Sequence, residues 1–375
     1  MAGSTFGTNF RITTWGESHG AGLGVVVDGC PAGLSLADSD IQAYLDRRKP
    51  GTSAYTTPRK EADRVQILSG VFEGKTTGTP ISMMVSNTNE HSKDYDALRD
   101  LYRPGHADYT FDQKFGIRDH RGGGRSSGRE TIGRVAGGAV AAKVLAECGI
   151  SFLTYATQIG PVKIDPDRFD PGEIANNPLC MPDAEAVKEA AAYLDQCRAE
   201  QDSAGGIIEC VITGVPAGVG APVFDKLDAK LAQAIFSIGA VKGFEVGDGF
   251  AVAEANGSGN NDAFVLENAG GTHMQDASAK KTNGITKATN HAGGILGGIS
   301  DGSPIVFRAA IKPTPSIGKE QKTVTKDGKE TVISIAGRHD PIIVPRAVVV
   351  VECMAAVTIL DLMMENLGSR LDNIR

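Results

Sequence analysis

The chain has 375 residues and a formal net charge of −7, with 41% hydrophobic and 22% charged residues. These values are typical of a globular protein with its own core, and the acidic balance excludes a general attraction to nucleic acid or anionic membranes. The six cysteines form no CxxC pair and no zinc spacing with histidine. We therefore expect buried, reduced thiols, no metal site and a cytoplasmic location.

Hydrophobic spacing and turn residues predict helices and short strands mixed along the chain. In chain order the predicted elements are strand Leu23–Val27, helix Leu36–Arg48, strands Val65–Ser69 and Ile81–Val85, helix Arg129–Cys148, strand Phe152–Gln158, helix Asp183–Ala199, strand Ile207–Thr213, helix Phe224–Ile238, strand Pro304–Ile311 and helix Arg346–Asn366. Regular strand-helix alternation is missing, which favours an α+β fold over a Rossmann fold. The apolar run Ala347–Met364 carries Glu352 and Asp361, so we interpret it as a buried helix rather than a membrane span.

Two long stretches, Lys49–Thr57 and Tyr102–Gly128, are predicted to be irregular and functional, because long loops inside a compact domain often carry function. The second ends in Asp119–Arg129, which holds four glycines, two serines and three arginines directly before a predicted helix. Glycine lets backbone N–H groups come close to a ligand, a helix start adds unpaired N–H donors, and arginine guanidinium groups bind phosphate. Together these features predict a site for a phosphorylated ligand. An RNA-binding Arg-Gly segment is the alternative, which the acidic charge and the lack of interleaved aromatics disfavour.

Histidines occur in two further loops. His19 lies between glycines in Gly16–Gly20, where we expect an exposed position on a turn, from which it donates a proton near neutral pH or else merely caps the turn. Arg103 and His106 flank a Pro-Gly turn, and Asp108 is placed to orient or charge the imidazole.

Three C-terminal segments complete the candidate site. Thr289–Gly298 contains two glycine pairs, which suit either a flat aromatic ligand or a tightly packed turn. Lys312–Ser316 ends a strand with Lys, Thr and Ser groups that hold phosphate oxygens. Gly337–Pro341 places an arginine beside a carboxylate, which provides anion binding and a base, or else a surface ion pair.

These motifs together resemble one known family. GESHG, RRKPGTS, RPGHADYT, RGGGRSSGRET, HAGGILGGIS, KPT and GRHDP occur in the order found in chorismate synthase, and the resemblance runs from Phe6 to Leu367. It implies a single catalytic domain over residues 1–375, a β-α-β sandwich with long central helices between antiparallel sheets, and a homotetramer. The implied reaction is the last one of the shikimate pathway, a lyase reaction. It is an anti-1,4-elimination of phosphate from 5-enolpyruvylshikimate 3-phosphate that gives chorismate and requires reduced FMN without net redox change.

The resemblance also implies site residues. His19 resembles the histidine that protonates the departing phosphate, His106 the one that acts on the reduced flavin, and Asp340 the carboxylate that removes the ring proton with the flavin. The implied substrate-binding residues are Arg48, Arg103, Ser127, Arg129 and Arg338. The implied FMN contacts are Arg125, Ser126, Ser127, Gly239, Ala240, Gly297, Lys312, Pro313, Thr314, Pro315, Ser316 and Arg338.

Two positions depart from the family pattern. Ala54 stands where a second arginine is common, so Arg47 or Arg59 is the candidate to compensate, and Pro315 replaces a serine. Some family members reduce their flavin with NADPH themselves and others use an external reductant. Because no nicotinamide fingerprint is present, we expect external supply. An ordinary flavin oxidoreductase that consumes NADPH without releasing phosphate is the remaining alternative.

Overall fold

Two antiparallel sheets and the helices between them make up most of the regular structure. The structure, a computed structural model, describes residues 3–51, 55, 62–87, 98–266, 284–335 and 340–373. The first sheet has the strand order β1-β2-β3-β7-β4. Its strands are β1 (Thr5–Phe6), β2 (Arg11–Gly16), β3 (Gly22–Asp28), β4 (Val65–Ile67) and β7 (Ile81–Ser86), and the hairpin β5 (Val71–Phe72) and β6 (Lys75–Thr76) lies between β4 and β7 in the chain.

The second sheet has the order β11-β16-β10-β8-β9. Its strands are β8 (Ser151–Ile159), β9 (Val162–Lys163), β10 (Gly206–Thr213), β11 (Val241–Val246) and β16 (Ile305–Ile311). Three two-stranded hairpins are formed by β12 (Phe264–Leu266) with β13 (Ile285–Lys287), β14 (Ile295–Leu296) with β15 (Ile299–Ser300), and β17 (Gln321–Val324) with β18 (Glu330–Ile333). On β10 and β16 buried side chains alternate with more exposed ones, so each strand turns one face towards the core.

Helices fill the space between the two sheets. The described helices are α1 (Asp38–Arg48), α2 (Asp108–Phe115), α3 (Thr131–Glu147), α4 (Glu173–Asn176), α5 (Ala184–Ala199), α6 (Leu227–Phe236), α7 (Gly257–Asn260) and α8 (Val344–Asn366). Helix α3 packs on the first sheet, α8 packs on the second, and α3 and α8 pack on each other. The fold is therefore α+β, with central helices sandwiched between antiparallel sheets, as predicted.

Glycines in α3 set the spacing of these layers. A Cβ at Gly138 would come closer than 3.0 Å to Cys353 of α8, and one at Gly137 closer than 3.0 Å to Ile12 of β2. Only glycine lets the helix approach both neighbours this closely. The small residues that the sequence places in this helix thus bring α3 against a sheet on one side and a helix on the other.

The predicted elements agree with the structure except at some ends and in one stretch. All five predicted helices and all six predicted strands are present, but Phe224 precedes α6 and is exposed. The stretch Tyr102–Gly128 was wrongly predicted to be irregular throughout, because it contains α2. That helix ends where Gly116 adopts a left-handed φ of 71°. Of the cysteines, all free, Cys148 is exposed and Cys180 half-buried, contrary to the expectation of burial.

Helix α8 is a core helix. Among the described residues it alone is long and apolar enough to cross a membrane, with a mean hydropathy of 2.2, yet 89% of that apolar window is buried inside the protein. Asp361 is satisfied there, because its carboxylate accepts hydrogen bonds from the backbone of residues 8 to 10. The predicted buried helix is confirmed.

Candidate active site

Two arginines share one buried carboxylate where α1 ends and α3 begins. Arg48 Nη1 donates to Asp63 Oδ2 at 2.7 Å, and Arg129 Nη1 lies 3.3 Å from Asp63 Oδ1. Only 2% of the Arg48 side chain is exposed, against 13% for Arg129, so Arg129 is the more accessible to a ligand. Burial lowers the pKa of Arg48, and the positive charges of Arg346 and Arg129 lower it further. The cluster thus holds more positive charge than its own carboxylate balances, which suits an anion.

A third arginine joins the predicted catalytic carboxylate to this cluster. Arg346, in the first turn of α8, donates from Nη1 to Asp340 Oδ2 at 2.6 Å and from Nε to the carbonyl oxygen of Arg48 at 3.0 Å. The Asp340 side chain is 11% exposed, so its carboxylate is largely buried. Arg338 lies outside the described residues, and its predicted role stays a prediction.

The His19 loop reaches the same cluster through Asn87. The Asn87 amide nitrogen donates to the carbonyls of Glu17 and Gly20, at 3.0 and 2.7 Å, and its oxygen accepts from Arg129 Nη2 at 2.8 Å. His19 lies on a turn, as predicted, but it is half-buried rather than exposed, and its Nδ1 lies 3.1 Å from Ser18 Oγ. One network of contacts therefore extends from the His19 loop to Asp340.

The segment Asp119–Arg129, the glycine-arginine segment, lies against His19. A Cβ at Gly122 would come closer than 3.0 Å to the His19 imidazole, so the backbone of this segment lies directly against the ring. Arg125 anchors the segment to β2, because its guanidinium donates to the Thr14 hydroxyl and to the carbonyls of Thr14 and Gly16. Ser126 Oγ donates to the Gly123 carbonyl, and the backbone N–H of Arg129 donates to Ser127 Oγ.

His106 belongs to a second group of contacts, formed with the Lys312–Ser316 loop. Its Nε2 lies 2.8 Å from Ser316 Oγ and its Nδ1 2.9 Å from the Pro104 carbonyl, while Lys312 Nζ donates to the Gly105 carbonyl. Burial lowers the pKa of His106, and the charge of Arg103 lowers it further. Both effects favour the neutral form of the imidazole.

The prediction that Asp108 orients the His106 ring is wrong. The Asp108 carboxylate accepts two hydrogen bonds from the Arg103 guanidinium, both at 2.8 Å, and pairs with Arg118 at 3.1 Å. A buried carboxylate binds guanidinium groups in preference to a neutral imidazole, because hydrogen bonds between two charged groups are stronger than those with a neutral partner. Asp108 acts on His106 only through its charge, as a minor opposing effect on the pKa.

A cavity of about 940 Å³ is lined by residues that neighbour His19 and His106 in the chain or in space. Glu17, Gly122, Arg125 and Ser126 line it, as do Arg103 and Asp108. Its further lining includes Phe6, Phe111, Phe115, Lys114, Arg118, Arg134, Gln233 and Ser237. The loops that carry the two histidines therefore border one space that is large enough for a small-molecule ligand.

The remaining predicted cofactor residues fall in two places. Ala240, with a left-handed φ of 73°, accepts a hydrogen bond at its carbonyl from the Lys312 N–H, so Gly239 and Ala240 adjoin the Lys312–Ser316 loop. Gly297 lies between β14 and β15, where the Gly298 carbonyl accepts from the N–H of Leu227 at the start of α6. Gly239 follows the other end of α6, whose ten residues extend over about 15 Å, so this helix separates Gly297 from Gly239.

Sequence reasoning missed Asp63, Asn87 and Arg346. They lie at or next to the ends of β4, β7 and α8 respectively, and none belongs to a recognisable motif. Arg47 and Arg59 were the candidates to compensate for the arginine that is absent at Ala54. Arg47 is engaged by Glu352 of α8 through two hydrogen bonds of 2.8 and 2.7 Å, whereas Ala54 and Arg59 lie outside the described residues.

The fold and site define an α+β protein with a cluster of arginines whose charge suits a small anionic ligand, beside two histidine-bearing loops. The family profile described as chorismate synthase matches residues 10–364. Chorismate synthases of Agathobacter rectalis and Lachnoclostridium phytofermentans are each 62% identical to the chain, which they match over 100% of its length and over 98% and 99% of theirs. A crystal structure of chorismate synthase superposes with a TM-score of 0.75 at 31% identity, covering 97% of this chain and 94% of that one. The chain belongs to the chorismate synthase family, the lyases of the final shikimate-pathway reaction.

Proposed function

We propose that residues 1–375 form one catalytic domain that converts 5-enolpyruvylshikimate 3-phosphate into chorismate and phosphate by anti-1,4-elimination, with reduced FMN. The observation that carries the proposal is the network joining the His19 loop, Arg129, Arg48 and Asp340. A substrate with one phosphate and two carboxylates needs several fixed cations, and three arginines face two carboxylates in this network.

The residues divide into binding and proton-transfer roles. Arg129, Ser127, Arg103 and Arg338 bind the phosphate and carboxylates, and the buried Arg48 adds positive charge behind Arg129. His19 protonates the phosphate as it departs, because a dianionic leaving group benefits from a nearby acid. Asp340 accepts the proton from the ring, and His106 acts on the reduced flavin.

The residues predicted to bind FMN fit a phosphate-bearing flavin. Thr314 Oγ1 is buried and, within the described part of the chain, has no hydrogen-bond partner, so it is available to a ligand. No described heavy atom lies within 4 Å of a Cβ built at Gly239, which leaves room beside Ala240 and Lys312. We assign to the cofactor Arg125, Ser126, Ser127, Gly239, Ala240, Gly297, the Lys312–Ser316 loop and Arg338.

Reduced FMN, when bound, supplies electron density to the substrate ring as phosphate leaves and takes it back. The chain's own contribution is to hold the reactants together and to exclude water, for which Arg103 lines the cavity and His106 is fixed beside it by Ser316. We further propose a homotetramer, as the family resemblance implies, a cytoplasmic location, and an external flavin reductant, because the sequence has no nicotinamide fingerprint.

The test is phosphate release under anaerobic conditions from purified protein, with and without photoreduced FMN. We expect chorismate and phosphate in equal amounts, only with reduced FMN. His19→Ala and His106→Ala should each lower turnover at least 10²-fold, the usual range for loss of a general acid or base, without unfolding the protein. Steady NADPH consumption without phosphate release, or no turnover by folded protein, would contradict the proposal.

A further inference from the structure

Arg346 contacts two parts of the site at once. Its Nη1 donates to Asp340 Oδ2 at 2.6 Å, and its Nε donates to the carbonyl oxygen of Arg48 at 3.0 Å. Asp340 is the carboxylate assigned to proton transfer, and Arg48 belongs to the anion-binding cluster. The planar guanidinium therefore holds both in one fixed geometry, which a lysine with its single nitrogen does not reproduce.

Arg346 meets charges of both signs. It pairs with Asp340 at 2.6 Å, and its charge counteracts the rise in the pKa of Asp63 that burial causes. Two effects oppose it: the helix dipole in the first turn of α8 favours acidic side chains, and the charge of Arg346 adds to burial in lowering the pKa of Arg48. Close-set groups of opposing charge of this kind are typical of functional sites.

A purely structural role is the competing explanation. The carbonyl of Arg48 is among the last four of α1, which have no partner within the helix, so Arg346 also caps that helix. This role predicts a loss of stability on substitution. It does not predict any dependence on Asp340.

We infer that Arg346 is a positioning residue: it holds the Asp340 carboxylate at a fixed position relative to Arg48 in the anion-binding cluster. The inference rests on the proposed function. Arg346 acts on the reaction through Asp340, so its contribution disappears when Asp340 no longer takes the proton.

A double-mutant cycle tests this inference. Single-turnover phosphate release is measured with reduced FMN for wild type, Arg346→Met, Asp340→Asn and the double variant, together with Arg346→Lys. We expect Arg346→Met to lower the rate about 10²-fold in the wild-type background and less than about 3-fold with Asp340→Asn, because residues that act as a unit are not additive. Arg346→Lys should recover part of the rate.

Stability and cofactor binding provide the controls. Lys143→Met removes another ion pair between helices, that of Lys143 with Asp40 at 2.7 Å, away from the site. Because this pair is more exposed, we expect its melting temperature to fall less than that of Arg346→Met, with wild-type turnover, and we expect FMN binding by Arg346→Met to stay within about 3-fold of wild type. Equal losses in both Asp340 backgrounds, or wild-type turnover by Arg346→Met, would overturn the inference alone. An inactive wild-type protein would overturn the proposed function and this inference with it.

Discussion

The imidazole Nε2 of His106 lies 2.8 Å from the hydroxyl oxygen of Ser316, although 210 positions separate them in the chain. Its Nδ1 lies 2.9 Å from the Pro104 carbonyl, which only accepts hydrogen bonds. In the neutral ring, Nδ1 therefore carries the proton and Nε2 accepts from the Ser316 hydroxyl. This pair fixes the ring of His106 against the loop predicted to bind the flavin phosphate.

We predict that His106 stays neutral at pH 7. Its pKa is lowered from 6.5 by burial and then by the positive charge of Arg103, so protonation requires a more acidic solution. Arg103→Met should raise this pKa, because it removes a like charge while Asp108 stays nearby. Imidazole NMR titration measures both values, with Arg11→Met, at an exposed ion pair, as the control. A wild-type midpoint at or above 6.5 would contradict the prediction.

Gly122→Ala should reduce turnover at least 10-fold while the melting temperature changes little. The new methyl group would meet the His19 imidazole at less than 3.0 Å, and His19 is half-buried on a loop that can move away. Displacing a general acid by about 1 Å costs activity on this scale or more. The matched control is Gly128→Ala in the same segment, since a Cβ there meets no described atom within 4 Å. Equal activity of the two variants would argue against a role for the Gly122 contact.

Asp63→Ala should lower the free energy of unfolding by about 3–5 kcal/mol, because it leaves the buried Arg48 without its carboxylate. Asp63→Asn should cost less, since the amide oxygen still accepts a hydrogen bond from Arg48. Urea denaturation measures both changes. Lys188→Ala, which breaks an exposed pair with Glu185, is the control and should leave the unfolding free energy unchanged. A loss for Asp63→Ala as small as that of the control would show that the cluster does not depend on Asp63.

Acid should remove the stability that Asp183 contributes. Hydrogen bonds, first from Arg168 and then from backbone N–H groups around the start of α5, hold the pKa of this carboxyl far below its usual value of 3.8. Because the folded pKa is depressed, the contribution is fully present above about pH 5 and is lost as the pH falls below about 4. The difference in unfolding free energy between wild type and Asp183→Asn should shrink over that range. A difference independent of pH down to pH 3 would refute this explanation.

Local patterns predicted much of this molecule because their physical causes are local. Ser35 precedes α1 in the chain and the Pro50-Gly51 pair follows it. The small residues of α3 indicate that this helix packs tightly. Helix α2 escaped prediction because its eight residues show only a short apolar repeat between polar loops. The motif residues were recognised by their types, but not their partners, as the Arg103–Asp108 pair shows.

The amino-acid sequence by itself determined the order of helices and strands, the family and the residue types available for anion binding and proton transfer. Hydrophobic periodicity and turn chemistry act over a few residues, so they can be read along the chain. Only the tertiary structure decided that Asn87 connects the His19 loop to Arg129, and that Arg346 connects Asp340 to Arg48. These contacts join positions 42 and 298 residues apart, and they depend on how sheets and helices pack, which no local pattern specifies.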